Sequence, residues 1–121
     1  MATVLIVDDE YFIRQVAISM VEEWGHVVLW ADGVAGAILQ LSSPAQIDAL
    51  ITDVRLDAAV QGGFELAREA RKLRPNLPVL FVSGLPLTEA TTALLVDGSQ
   101  FLDKPYSPDQ LQHAVQTLLA A

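Results

Sequence analysis

Residues 3–25 read TVLIVDDEYFIRQVAISMVEEWG, and the hydrophobic period changes partway along them. Thr3–Val7 is a continuous apolar run, too short and too β-branched for a helix, which is the pattern of a strand buried on both faces. Asp8, Asp9 and Glu10 end it with three acids in a row. From Ile13 the apolar positions step by three and four through Val16, Ala17, Met20, Val21 and Trp24, the stripe of an amphipathic helix that stops at Gly25. A buried strand followed by an amphipathic helix is one β-α unit.

The alternation continues along the chain. His26–Ala31 (HVVLWA) returns to strand composition, and Asp32-Gly33 offers a turn or cap before Ala35, Ile38 and Leu39 of a second helix. Ser42-Ser43-Pro44 breaks that helix, and Asp48–Thr52 (DALIT) predicts a short third strand. Gln61-Gly62-Gly63 marks a loop before a helix over Phe64–Arg74. That helix turns Leu66, Ala67, Ala70 and Leu73 inward and keeps Glu65, Arg68, Glu69, Arg71 and Lys72 on a wet face, opposite charges at helical spacing. Pro75 and Pro78 bracket its exit, and Val79–Val82 is a fourth buried strand. A weaker helix is expected from about Leu87 to Leu95, where Thr91-Thr92 lower the propensity. Ser99–Leu102 supplies a brief fifth strand. Ser107, followed by Pro108 and with Gln110 three residues on, has the arrangement of a capping box for a last helix with Leu111, Ala114, Val115, Leu118 and Leu119 inward. Five β-α units with apolar strands imply an α/β fold, a parallel sheet covered by helices on both faces.

Composition narrows the function. A chain of 121 residues fits a single domain over 1–121, and 52% hydrophobic against 18% charged residues leaves no case for disorder. Seven basic and fifteen acidic side chains give a net charge of −8, the wrong sign for binding nucleic acid or an anionic membrane. With no cysteine there are no disulfides, zinc thiolates or thiol catalysis. The N-terminus lacks the basic start and long apolar stretch of an export signal, so a cytoplasmic protein is expected.

In an open parallel sheet the ligand site lies beyond the carboxyl ends of the strands. Those positions hold Asp8-Asp9-Glu10 after the first strand, Asp53 after the third, Ser83-Gly84 after the fourth and Lys104-Pro105 after the fifth. Singly, each has a plain explanation: the acids suit a helix N-terminus, Ser83 a turn, Lys104 a charged surface. Together they are harder to dismiss. Clustered carboxylates raise one another's pKa unless a cation holds them, and oxygen ligands without His or Cys favour Mg²⁺ or Mn²⁺ over zinc. Mg²⁺ keeps several waters and commonly shares its sphere with phosphate oxygens, which a lysine and a hydroxyl would also hold.

The ordered set resembles the receiver domains of two-component response regulators, the CheY-like superfamily: an acidic pair, an aspartate, Ser and a small residue, then Lys-Pro, at the ends of strands one, three, four and five. The resemblance spans essentially the whole chain. It implies a doubly wound, flavodoxin-like three-layer sandwich with five parallel strands in the order 2-1-3-4-5 and five helices. It further implies a phosphorylation-dependent signalling switch rather than an enzyme. By the same resemblance, Asp53 is the phosphoacceptor, Asp9 a direct Mg²⁺ ligand and Asp8 one acting through water, with Asp53 and the backbone carbonyl of Arg55 completing the protein's share; Mn²⁺ is the substitute ion. Ser83 and Lys104 fall to the phosphoryl oxygens and Phe101 to the switch aromatic, although strand composition also explains Phe101 as core. Gly84 and Pro105 shape the loops, with Lys104-Pro105 expected to be cis. The partners implied are a histidine kinase or histidine phosphotransfer protein upstream. Downstream they are a protein partner, a homodimer mate or an output domain outside this sequence, which ends two residues after Leu119. These would read the surface of helix four, strand five and helix five. Leu85, Leu87, Leu94 and Leu95 near that surface suit a partner and the core about equally.

Some features depart from the pattern. The stretch DVRLDAAVQGG (53–63) is longer than the usual loop and lacks its proline, so Arg55 either pairs with Asp57 or leans over the phosphoryl site. The segment from Gly98 to Lys104 is a residue short. A small-molecule phosphatase of the haloacid-dehalogenase type is the main rival, but it needs an acid where Arg55 stands. A flavodoxin-like FMN site is opposed by the charge of Asp8-Asp9-Glu10, and a docking-only receiver by the completeness of the set. His26 and His113 are not expected to carry phosphate, and neither Trp24 nor Trp30 is expected beside the metal.

Overall fold

Every expected strand forms and each is followed by a helix in the computed structural model, which describes residues 2–56 and 62–120. The order is β1 (Thr3–Val7), α1 (Tyr11–Glu23), β2 (Val27–Ala31), α2 (Val34–Leu41), β3 (Ala49–Asp53), α3 (Gly62–Leu73), β4 (Val79–Ser83), α4 (Glu89–Thr92), β5 (Gln100–Asp103) and α5 (Pro108–Ala120). Asp57 and Gln61, with the pairing of Arg55 to Asp57, lie outside the described residues. All strand pairs are parallel and the sheet runs β2-β1-β3-β4-β5. Among the described residues no helix is long and apolar enough to cross a membrane.

The continuous apolar runs make two cores because side chains alternate across each strand. Leu5, Val7, Leu50, Val79 and Phe81 face α2 and α3, packing on Ala37, Leu41, Phe64 and Ala67. Val4, Ile6, Ile51, Leu80 and Val82 face α1 and α5, packing on Ala17, Val21, Leu111 and Val115. Phe64 and Phe81 lean together with ring centroids 5.1 Å apart. Each fully buried side chain of this size contributes about 1.5–3 kcal/mol, so the sheet is the rigid element on which the rim is mounted.

Several expectations are corrected. On α1 the buried face is Arg14, Ala17 and Val21, and Val16 is exposed, because the inward line runs i, i+3, i+7 from Arg14. On α2, Ala37 and Leu41 are buried while Ala35 and Leu39 face water. Leu73 is exposed too: the inward stripe of α3 ends at Ala70, and Leu77 fills the core beyond the turn. The apolar β2 is an edge strand, which leaves Val27 and Trp30 open to solvent. Gly62 and Gly63 open α3 rather than forming a loop.

The fourth helix is a single turn. Thr88 caps it with Thr91, and the hydroxyls of Thr91 and Thr92 both donate back to the Thr88 carbonyl, offering the backbone local bonds in place of a longer helical ladder. Leu94, Leu95 and Val96 then pack on the core from irregular chain. By contrast the capping box of α5 forms as read, with Gln110 N–H donating to Ser107 Oγ (3.1 Å) and Ser107 N–H to Gln110 Oε1 (2.8 Å).

Candidate functional site

Parallel register places the carboxyl ends of the strands level, and main-chain bonds beyond the strands draw the loops together. Asp8 N–H donates to the Ala31 carbonyl, Val54 N–H to Val82 and Lys104 N–H to Ser83, at 3.3, 3.0 and 2.8 Å. Strands β3, β4 and β5 each extend one residue further than their apolar runs, so Asp53 and Ser83 are the last residues of their strands rather than the first of the loops. A strand terminus is a firmer mount than a loop.

Lys104 Nζ, carried by the loop after β5, lies 3.1 Å from Asp53 Oδ2 and 3.4 Å from Asp8 Oδ2. The other oxygens are held by main chain: Asp8 Oδ1 accepts from Glu10 N–H (2.9 Å) and Asp53 Oδ1 from Arg55 N–H (3.3 Å). Asp8 and Asp53 are buried and Asp9 is exposed, so the cluster has one wet side. Burial pushes the Asp8 carboxyl above its usual range; Asp53 adds to this, while the Glu10 N–H and Lys104 oppose it. Burial alone would lower Lys104, but the attraction of Asp8 and Asp53 outweighs it and holds the ammonium protonated.

The remaining sequence-derived positions fall around this centre. Ser83 is buried at the rim, with its Oγ accepting from Leu85 N–H at 3.0 Å. Phe101 is half-buried; with Ser83, Val54 and Leu87 it lines an apolar cavity of about 280 Å³. Arg55 is exposed, two residues past Asp53. Lys104-Pro105 is cis, and a Cβ added at Gly84 would meet nothing within 4 Å among the described residues. His26 accepts from Ala2 N–H and His113 is exposed on α5, both away from the cluster. Of the apolar residues near α4, Leu85 and Leu87 are exposed, whereas Leu94 and Leu95 pack on the core.

Two participants escaped the sequence reading. Gly63 packs directly against the main chain of Asp53. Arg14 is buried in α1, with Nη1 donating to the Asp8 carbonyl at 2.9 Å and its guanidinium over the Trp30 ring. Its signal was available: Arg14 stands three and seven residues before Ala17 and Val21, on the inward line.

A divalent cation fits these residues. Asp8, Asp9 and Asp53 each offer a carboxylate oxygen, and these atoms lie within 4.8 Å of one another. Three carboxylates gather where one ammonium pairs with two of them, the donors are all hard oxygens, and the exposed side admits the waters that Mg²⁺ retains.

A family model described as the response regulator receiver domain matches residues 4–116. The sensor kinase CckA of Brucella abortus is 32% identical over 120 residues, covering 98% of this chain and 12% of the relative. The transcriptional regulatory protein CreB of Escherichia coli is 32% identical over 121 residues, covering 97% of this chain and 50% of its own length. The chain thus spans half or less of these curated relatives. A response regulator receiver protein from Sinorhizobium medicae superposes with a TM-score of 0.89 at 34% identity, over 99% of this chain and 95% of that one. The receiver domain of sensor histidine kinase PA1611 from Pseudomonas aeruginosa, solved with a magnesium ion in its active site cleft, has a TM-score of 0.85 at 21% identity and shares the fold, over 99% of this chain and 98% of its own. Sheet order, strand-end chemistry and a match over nearly the full length agree, and the chain belongs to the response regulator receiver domains of two-component systems.

Proposed function

We propose that the chain is a switch that accepts a phosphoryl group on Asp53 from the phosphohistidine of a histidine kinase or phosphotransfer protein, or from a small phosphodonor. The observation that carries this reading is the Lys104 ammonium set between Asp8 and Asp53 inside a cluster of three carboxylates. In the transfer a carboxylate oxygen of Asp53 forms the new P–O bond in line as the P–N bond to the donor histidine breaks. The electron pair returns to that ring nitrogen, and a phosphohistidine protonated at its other nitrogen leaves as neutral imidazole. Asp8, Asp9, Asp53 and the Arg55 carbonyl would hold Mg²⁺, with Mn²⁺ as substitute; when bound, the ion neutralises charge on the phosphoryl oxygens. Lys104 takes one phosphoryl oxygen, leaving its bond to Asp53, and the Ser83 hydroxyl takes another by releasing Leu85 N–H.

Phosphorylation replaces the single carboxylate charge of Asp53 with a phosphoryl group of about −1.5 to −2, a net addition of roughly −0.5 to −1 at an acidic rim. Movement of Ser83 opens space beside Phe101, whose ring turns into the cavity they share and alters the surface of α4, β5 and α5 for a protein partner, a second copy or an output domain. A phenylalanine has no hydroxyl to bond in that state, so apolar burial alone favours it. The role is regulatory, in the cytoplasm, with 1–121 as one domain. Incubation with acetyl phosphate and Mg²⁺ should add one phosphoryl group to the wild type and none to Asp53→Asn; equal labelling of both would refute the assignment.

A further inference from the structure

We infer that Arg14 is a positioning residue for the divalent-cation site, fixing the main chain of Asp8 so that the carboxylates of Asp8 and Asp9 stay gathered with Asp53. The inference rests on the proposed cation site and concerns a residue outside it. Arg14 is 6% exposed, and among the described residues no carboxylate pairs with it. Its Nε is buried and has no hydrogen-bond partner among the described residues. A buried cation without an ion pair is costly. An apolar side chain would occupy this inward position of α1 at less cost.

The contacts of the guanidinium explain what arginine adds. Its centre lies 4.5 Å from the Trp30 ring of β2 and 5.5 Å from the Tyr11 ring of α1, and Nη1 donates to the Asp8 carbonyl at 2.9 Å. Aromatic faces stabilise a cation and suit the planar, weakly hydrated guanidinium. They also restrict its orientation. The one directional bond it makes among the described residues then falls on the first residue past β1, where the chain leaves the sheet and turns into Asp9. Lysine would keep the charge but has neither the planar face nor the fixed fork.

Calorimetric titration with Mg²⁺ tests this on wild type, Arg14→Lys, Trp30→Leu and Asp9→Asn. The wild type should bind Mg²⁺ and Asp9→Asn should lose most of that affinity. Arg14→Lys should weaken binding about tenfold, the scale of lost outer-shell support at metal sites, and Trp30→Leu severalfold. Because lysine preserves the positive charge, a loss in Arg14→Lys reads geometry rather than Coulomb repulsion. In a Trp24→Phe background, Trp30 emission should change on Mg²⁺ addition and stop doing so with Arg14→Lys; a purely structural arginine would leave both readouts alone. Wild-type affinity in both Arg14→Lys and Trp30→Leu overturns the inference and leaves the cation site standing, whereas failure of the wild type to bind Mg²⁺ overturns both. Should Arg14→Lys not fold, Trp30→Leu decides alone, since that ring is half exposed.

Discussion

Gly63 lies so close to Asp53 that a Cβ at this glycine would overlap the Asp53 carbonyl oxygen and sit 2.8 Å from Val54 Cα. Gly63 N–H also donates to the Val54 carbonyl at 2.7 Å. The start of α3 is thereby pressed onto the end of β3, and this contact fixes the backbone that carries the proposed phosphoacceptor.

Gly63→Ala should accordingly lower stability by about 1–3 kcal/mol, the usual cost of overpacking a site that cannot give way, read as a lower urea midpoint with unchanged slope. Labelling by acetyl phosphate should fall as well, because the added Cβ presses on the main chain that carries Asp53. Gly84→Ala is the control: its Cβ meets none of the described residues, and stability should stay within about 0.5 kcal/mol of wild type.

The strands, their parallel pairing and the rim residues were legible because each is written locally, as an apolar run ending in a polar residue. The Ser107 cap was legible for the same reason. Exposure of Val27 and Trp30 was not, because an edge strand has the composition of a central one and only the sheet order distinguishes them. The single turn of α4 was half legible: Thr91-Thr92 signalled weakness, but not that their hydroxyls would both bond back to Thr88. Arg14 was missed because a charge on an amphipathic helix is ordinarily wet, and its burial depends on Trp30 arriving from another strand.

Lys104→Gln should separate ion binding from transfer. Removing the ammonium leaves Asp8 and Asp53 facing each other without their paired cation. Mg²⁺ should bind several-fold tighter, since a competing positive charge has gone. Transfer from acetyl phosphate should nonetheless slow by about 10²-fold, the scale of losing one preorganised donor to developing charge. Tighter binding with unimpaired labelling would remove Lys104 from the reaction.

Asp48 supplies a pH dependence remote from the rim. Its Oδ2 accepts Thr3 N–H at 2.7 Å and its Oδ1 accepts from Gln46 at 3.0 Å, so these bonds hold its pKa below the ordinary 3.8. A carboxyl depressed in the folded state adds stability that is fully present above about pH 3.8 and fades as pH falls through the lowered value. Asp48→Ala should therefore cost about 1 kcal/mol at pH 7, measured by urea denaturation. The gap to wild type should narrow toward pH 2, and a gap independent of pH would mean that packing rather than charge holds the start of β1.

Asp8 carries the opposite sign. Its carboxylate is buried beside Asp53, and burial together with the Asp53 charge opposes its ionisation more strongly than the Glu10 N–H and Lys104 support it. An amide at this position keeps an oxygen for the Glu10 N–H while removing one of three clustered charges. In buffer with chelator, Asp8→Asn should melt above the wild type, the stability gain being roughly 0.5–2 kcal/mol. Mg²⁺ should then reverse the order. A ligand that binds only the folded chain stabilises it by about 2.7 kcal/mol at a hundred times its Kd. The wild type should gain that increment, while Asp8→Asn, with its share of the cation site removed, gains little. A melting temperature of wild type that ignores Mg²⁺ would mean that the cluster is held together by Lys104 alone and is no cation site.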